Sequence, residues 1–204
     1  MTSKLKKTAL TLIILVGLSL TSARVFGPAI LEEKLNPLID VDHSVISDEA
    51  RTLHEKLTIM DWHADSLLWN RDFLKLSDYG KVDLPRLQKG NFSLQMLTTV
   101  TKSPEGQNYV ENDAGSDTIT KAAILQGWPI KTWDSLLERA LYQSQKLSDF
   151  VATSDGQLSF ITSTKDLSLH NQASKGTIGV LLGTEGAHPL EGKLSNIDVM
   201  FDAG

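Results

Sequence analysis

The sequence predicts an α/β fold, and three observations point to it. Short apolar runs typical of buried strands occur at residues 57–60, 92–100, 158–161 and 177–182. Helical patterns lie between them, most clearly at residues 133–151. Side chains suited to metal binding follow two of the runs: His63 and Asp65 after the first, and Glu185 after the last. Functional residues at the carboxyl ends of alternating strands are typical of a (β/α)8 TIM-type barrel, which is the fold we expect.

Residues 1–23 have the layout of a secretory signal. A basic head precedes an apolar core and a small-residue end, and its lysines are Lys4, Lys6 and Lys7. Cleavage after Ala23 is one expectation. The other is a retained anchor through residues 8–31, because the uncharged run alone is shorter than the ~20 residues that span a bilayer. Either way we expect export, to the periplasm or to the outer side of a membrane.

Composition excludes several classes of protein. The chain has no cysteine, so it has no disulfide, no thiolate metal site and no cysteine nucleophile. Without the leader it keeps 17 of its 20 basic residues and all 25 acidic residues, a net charge of −8. Such a surface disfavours nucleic acid as a partner. Any metal must therefore be held by histidine and carboxylates.

Between the leader and His63 we expect a linker, the start of the domain and one helix. We expect residues 24–46 to form a linker or an arm on the domain, and residues 47–204 to form the domain itself. Asp48 is predicted to cap a helix that runs through Leu57.

The middle of the chain alternates connectors and regular elements. Residues 82–87 are predicted to form a short connector interrupted by Pro85. Residues 92–100 form a strand with β-branched residues at its end, and residues 101–117 form a polar loop.

Helices dominate the predicted C-terminal part. Thr132 is placed to cap the helix over residues 133–151, and Ser163 with Asp166 indicates a capping box that opens a helix ending at Gly176. A last helix is indicated by Leu194, Ile197, Met200 and Phe201.

The candidate site combines residues from two strand ends. In an extended segment His63 and Asp65 share a face, as two ligands of one metal must. This spacing alone is weak evidence, because an acid follows some histidine at that distance by chance about half the time. Glu185, flanked by glycines, repeats the arrangement after a second strand. A solvated loop acid is the alternative for Glu185, and a surface or supporting role is the simpler interpretation of His188.

The sequence lacks the motifs of three other enzyme classes. A glycine-rich phosphate turn does not follow the first strand, and neither a G-x-S-x-G nor an H-E-x-x-H motif is present. Nucleotide-binding sheets, serine hydrolases of that type and zincins are therefore disfavoured.

Three motifs in order resemble the membrane (renal) dipeptidase family from about residue 53 to residue 204. They are Met60–Asp65, Val82–Leu87 followed by Lys89, Gly90 and Gln95, and Gly183–His188. Trp62 and Ala64 depart from the residues common in the family, which affects the expected substrate fit more than metal binding.

The resemblance implies a (β/α)8 barrel with two zinc ions. His63 and Asp65 resemble the ligands of the first zinc, and Glu185 resembles the catalytic carboxylate that bridges both. The implied activity is hydrolysis of the peptide bond of dipeptides by a hydroxide shared between the ions. A His-carboxylate set also suits Mn or Fe.

The family's remaining zinc ligands and substrate contacts come from later strands, whereas this chain stops at Gly204. We therefore expect roughly the first half of a barrel, an incomplete copy whose activity alone is doubtful and whose open strand edges favour a homo-oligomer. Two alternatives stay open: an inactive fragment or pseudoenzyme, and a related barrel hydrolase acting on lactones or other amides.

Overall fold

The computed structural model describes residues 3–41, 46–172 and 175–204. Within these ranges the strands are β1 (Ile59–Ala64), β2 (Phe92–Val100), β3 (Leu158–Phe160) and β4 (Ile178–Glu185). The α-helices are α1 (Ser3–Leu35), α2 (Asp48–His54), α3 (Leu84–Lys89), α4 (Ile119–Leu125), α5 (Leu136–Thr153), α6 (Thr164–His170) and α7 (Ser195–Asp202). The expected α/β class is confirmed.

All four strands are parallel and form one sheet of order β1-β2-β4-β3. The longest pairing joins β2 to β4, from Leu94 opposite Gly179 to Val100 opposite Glu185. Gly179 permits this close approach, because a Cβ there would lie 2.4 Å from Leu94 Cδ2. A sequential barrel order would place β3 between β2 and β4, but β3 lies at the outer edge.

The core forms two clusters that hold the sheet against the helices. One cluster contains Leu67, Leu84, Leu87, Leu97, Leu147, Ile178 and Val180. The other contains Leu68, Val100, Ile119, Ala123 and Trp128. The ring of Trp128 lies 4.8 Å from that of Tyr142 on α5. The second cluster lies beside the carboxyl end of β2, where the candidate site is found.

The start of the domain differs from the sequence prediction. Ser47 caps α2, since its Oγ accepts the Ala50 N–H at 3.3 Å. The helix ends at His54, so the predicted helix from an Asp48 cap through Leu57 is wrong. The first strand also begins two residues later than predicted, at Ile59.

The segment predicted as a connector forms helix α3 instead. Asp83 caps it by accepting the Arg86 N–H at 3.0 Å. Pro85 lies in the first turn, where a proline needs no intrahelical hydrogen-bond donor and its fixed φ suits the helix. The prediction that Pro85 interrupts regular structure is therefore wrong.

Serine side chains cap the first turns of α5 and α6. Ser135, and not Thr132, caps α5 by accepting the Glu138 N–H at 3.2 Å. The capping box of α6 is confirmed: Ser163 Oγ accepts the Asp166 N–H, and the Asp166 carboxylate accepts the Thr162 N–H. This helix ends at His170, before the predicted stop.

Helix α1 runs without a break across the expected boundary at residue 23. Its section from Lys7 to Leu35 is the one helix in the described part of the chain that is long and apolar enough to cross a membrane. The apolar residues from Leu10 to Leu20 are exposed, whereas Pro28 and Glu32 near its end are buried. Residues 24–35, expected to be a linker or an arm, thus belong to a helix that packs on the domain.

Candidate metal centre

A bulge in β1 sets the position of His63. Asp61 pairs with Gln95 and Ala64 with Leu97, so β1 advances three residues where β2 advances two. Such bulges redirect side chains at the ends of strands. Asp61 stabilises the bulge, since its Oδ1 accepts the His63 N–H at 3.2 Å and its Oδ2 accepts from Gln95 Nε2 at 2.8 Å.

Asp65 lies just beyond the strand. It has φ −89° and ψ 27° and precedes the short 3-10 helix Ser66–Leu68. Thr98 Oγ1 of β2 donates a hydrogen bond to Asp65 Oδ1. The predicted alternation along an extended segment is therefore not how His63 and Asp65 meet, because the backbone has turned by Asp65. The bulge and the turn bring them together instead.

Glu185 is the last residue of β4 and pairs with Val100. The chain then turns at Gly186, whose φ of +75° favours glycine. Thr184 Oγ1 donates to the Gly186 carbonyl at 3.2 Å and closes this turn. The sharp turn leaves Glu185 at the carboxyl edge of the sheet.

The three side chains converge at this edge. His63 Nε2 lies 3.3 Å from Asp65 Oδ1 and 3.9 Å from Glu185 Oε2. Ligand atoms of all three lie within 4.8 Å of one another. The side chains remain 54, 40 and 52 % exposed, so the cluster is open to solvent and to small molecules.

This donor set fits a zinc-type ion. Ligand bonds of ~2.0 to 2.2 Å in a tetrahedron place the donor atoms about 3.4 Å apart. The separation of His63 and Asp65 matches that value, and the separation from His63 to Glu185 exceeds it slightly. One imidazole and two carboxylates are also ligands that zinc accepts.

The other residues singled out in the sequence have different surroundings. His188 is exposed and lines the same cavity as Asp65 and Glu185, but the cluster of three does not include it. Trp62 is 59 % exposed, whereas Ala64 is buried in the core.

A family model describing membrane dipeptidases, peptidase family M19, matches residues 47–204. The chain belongs to this family. The resemblance found in the sequence motifs is thereby confirmed. A search of curated proteins found no match.

Solved structures similar to this member of family M19 include two dipeptidases. The probable dipeptidase PvdM from Pseudomonas aeruginosa is 19 % identical with a TM-score of 0.51, and the match covers 76 % of this chain and 35 % of that one. Dipeptidase AC, a metallopeptidase of family M19, is 19 % identical with a TM-score of 0.47, and the match covers 72 % and 40 %. The chain therefore spans between a third and two fifths of these relatives. The likeness to PvdM shows a shared α/β fold.

Two buried residues of β2 support the three converging side chains and were not predicted as site residues from the sequence. Gln95 is fully buried yet was noted only as part of a motif, and Thr98 was not noted. Their partners, Asp61 and Asp65, are 34 and 33 residues away along the chain. The available signal was the occurrence of polar residues, Gln95 and Thr98, within the mostly apolar run of β2.

Proposed function

We propose that this chain is the N-terminal part of an exported, metal-dependent dipeptidase of (β/α)8 type. The observation that carries the proposal is the convergence of His63, Asp65 and Glu185 at one sheet edge in a member of family M19. In the complete enzyme His63 and Asp65 would hold a first zinc ion, and Glu185 would serve as a ligand shared with a second. Its substrates are dipeptides.

The metal and the protein have separate tasks in this proposal. A bound zinc ion polarises a carbonyl oxygen and lowers the pKa of water towards ~7. Thr98 donates to Asp65 Oδ1, the oxygen that lies 3.3 Å from His63 Nε2, and so orients this carboxylate toward His63. Asp61 and Gln95 fix the backbone of the bulge, so His63 needs little reorganisation on binding.

Glu185 faces the space where a substrate would lie. Its side chain is half-exposed and borders a cavity that Asp65 also lines. The two carboxylates would partly neutralise the charge of a bound metal ion, the imidazole would be a neutral ligand, and the open side would remain for substrate. This arrangement suits hydrolysis of the peptide bond of a dipeptide.

The strand order is compatible with a barrel if β1, β2 and β4 are its successive strands. In that arrangement β3 is an additional edge strand that lies outside the sequence of barrel strands. Helix α1 serves as a signal or as a membrane anchor, which places the enzyme outside the cytoplasm. Its exposed apolar residues support this role.

The activity test uses the full-length protein and measures release of free amino acids from dipeptides. We expect activity that is lost with a chelator and restored by zinc. Glu185→Gln should lower kcat by at least ~100-fold, as expected when a metal-bridging carboxylate is lost. Glu111→Gln, at an exposed loop residue, is the matched control. Full activity of Glu185→Gln, or activity indifferent to chelation, would refute the proposal.

A further inference from the structure

A cavity of about 850 Å³ opens beside the metal centre. This volume lies in the range of small-molecule sites. Asp65 and Glu185 border one side of the cavity. Much of the remaining wall is apolar and includes Leu31, Leu35, Leu68, Trp69, Ile119 and Leu125. The apolar wall is therefore continuous with the candidate catalytic edge.

Two of these wall residues belong to the N-terminal helix. Leu31 and Leu35 lie near the end of α1, about 30 residues before His63 in the sequence. They are one helical turn apart and thus share a face. The N-terminal helix therefore supplies part of the cavity wall, although its first two thirds contact little of the domain.

A buried ion pair holds this part of α1 in place. Glu32 is 2 % exposed, and its Oε1 accepts from Arg71 Nε at 2.6 Å. Arg71 also donates to the Val82 carbonyl, which ties the pair to the chain leading into α3. A charge buried this deeply is costly unless its partner is present, so the pair fixes a single docking position.

Two further contacts support the same position. The Asn36 carbonyl accepts the Gly80 N–H at 2.9 Å just beyond the helix. At Gly27 a Cβ would lie 2.8 Å from Leu125 Cδ1, so the glycine lets α1 approach α4 closely. Contacts at both ends of residues 27–36 thus hold Leu31 and Leu35 against the cavity.

We propose that residues 27–36 form a fixed wall of the substrate site, and that Leu31 and Leu35 select dipeptides with a large apolar side chain. The proposal rests on the proposed dipeptidase function. Cleavage after Ala23 would leave this wall intact, because all the docking residues follow that point. The signal or anchor and the wall are then separate parts of one helix.

The selectivity test compares kcat/KM for Leu-Leu and Gly-Gly in the full-length enzyme. Leu31→Ala should lower the Leu-Leu to Gly-Gly ratio about tenfold, since a shortened apolar pocket loses that order of discrimination. Val25→Ala, at an exposed position of the same helix outside residues 27–36, should leave the ratio unchanged. An unchanged ratio in Leu31→Ala would overturn the proposal.

Hydrogen exchange tests the wall without any activity measurement. Glu32→Ala should speed amide exchange in residues 27–36 about tenfold, because loss of docking exposes the helix end to local opening. Glu33→Ala, an exposed neighbour, is the control. Equal exchange in wild type and Glu32→Ala would overturn the fixed wall. If the wild-type protein hydrolyses no dipeptide, the proposed function and the proposed selectivity both fail. Hydrogen exchange then still tests whether residues 27–36 are held on the domain.

Discussion

At the scale of single residues, hydrogen bonds from β2 orient the candidate metal ligands at the end of β1. Thr98 donates to Asp65, and Gln95 donates to the carboxylate of Asp61 that holds the His63 backbone. Both donors are buried in the central strand. Because these hydrogen bonds already fix their partners, binding of a metal ion there would cost little entropy.

Replacing Thr98 by Val should weaken zinc binding about tenfold, because Asp65 loses the bond that orients it. Thr99→Val is a matched control: Thr99 is also buried, but its hydroxyl has no hydrogen-bond partner among the described residues. Zinc titration of both variants by calorimetry measures the difference. Equal affinities would show that Thr98 does not position Asp65.

Lys146 stabilises the turn that follows His63 and Asp65. Its Nζ donates to the carbonyls of Leu67 and Trp69 at 2.7 and 2.5 Å. Desolvation of the ammonium group lowers the pKa of Lys146 to about 8, although the nearby Glu32 carboxylate acts in the opposite direction. The unfolded chain, with an ordinary lysine pKa, therefore binds more protons between pH 8 and about 10.5.

Stability should consequently rise with pH across that window, by up to roughly 3 kcal/mol from Lys146. Lys146→Met should lack this rise, whereas Lys165→Met, at an exposed position, should retain it. Urea denaturation between pH 7.5 and 10.5 gives the free energies of unfolding. Parallel pH profiles for wild type and Lys146→Met would contradict the assignment.

At the scale of elements, Arg139 joins α5 to the loop beside the site. Its buried guanidinium donates to the carbonyls of Thr132 and Thr101 and to the Asp117 carboxylate, each at 2.6 Å. Burial acts to raise the pKa of Asp117, but hydrogen bonds from Arg139, the Ile119 N–H and Thr120 outweigh it and hold the pKa below its usual value. The stabilisation that ionised Asp117 provides is therefore fully present above the carboxyl pKa of the unfolded chain. It is lost as pH falls through the lower carboxyl pKa of the folded protein.

Arg139→Met should destabilise the protein by about 3 to 5 kcal/mol, because Asp117 is left partly buried and without its counter-charge. Arg51→Met, at an exposed position on α2, should change stability by less than about 0.5 kcal/mol. Urea midpoints at pH 7 test both. A loss below about 1 kcal/mol in Arg139→Met would contradict the central role of the guanidinium.

The elements that the sequence predicted well are those whose local signal is strong. Residues 92–100 form β2 with the predicted bounds, because a central strand buried by its neighbours is apolar for most of its length. The bounds of α2 and α5 shifted because several Ser, Thr and Asp residues could cap each helix. Only packing decides between them.

The site shows a similar division. His63, Asp65 and Glu185 stood out as residue types suited to metal at strand ends, and the structure brings them together. Thr98, and the pair of Glu32 with Arg71, could not be found in this way because their partners lie 33 to 39 residues away. Such contacts depend on strand register and helix docking, which no local pattern encodes.

At the scale of the whole molecule, the sheet and the N-terminal helix frame one open edge. β1 and β3 are the outer strands of the described sheet, and α1 closes one side of the cavity at its carboxyl end. The side chains of α7 include Phe201, which is 81 % exposed. The carboxyl edge of the sheet thus combines the candidate metal centre with the apolar side chains that line the adjacent cavity.

A zinc-edge anomalous difference map from a crystal of the full-length protein grown with zinc would locate the metal directly. We expect a peak ~2.0 to 2.2 Å from His63 Nε2 and from carboxylate oxygens of Asp65 and Glu185. A peak bound elsewhere, with these three side chains unliganded at saturating zinc, would contradict it.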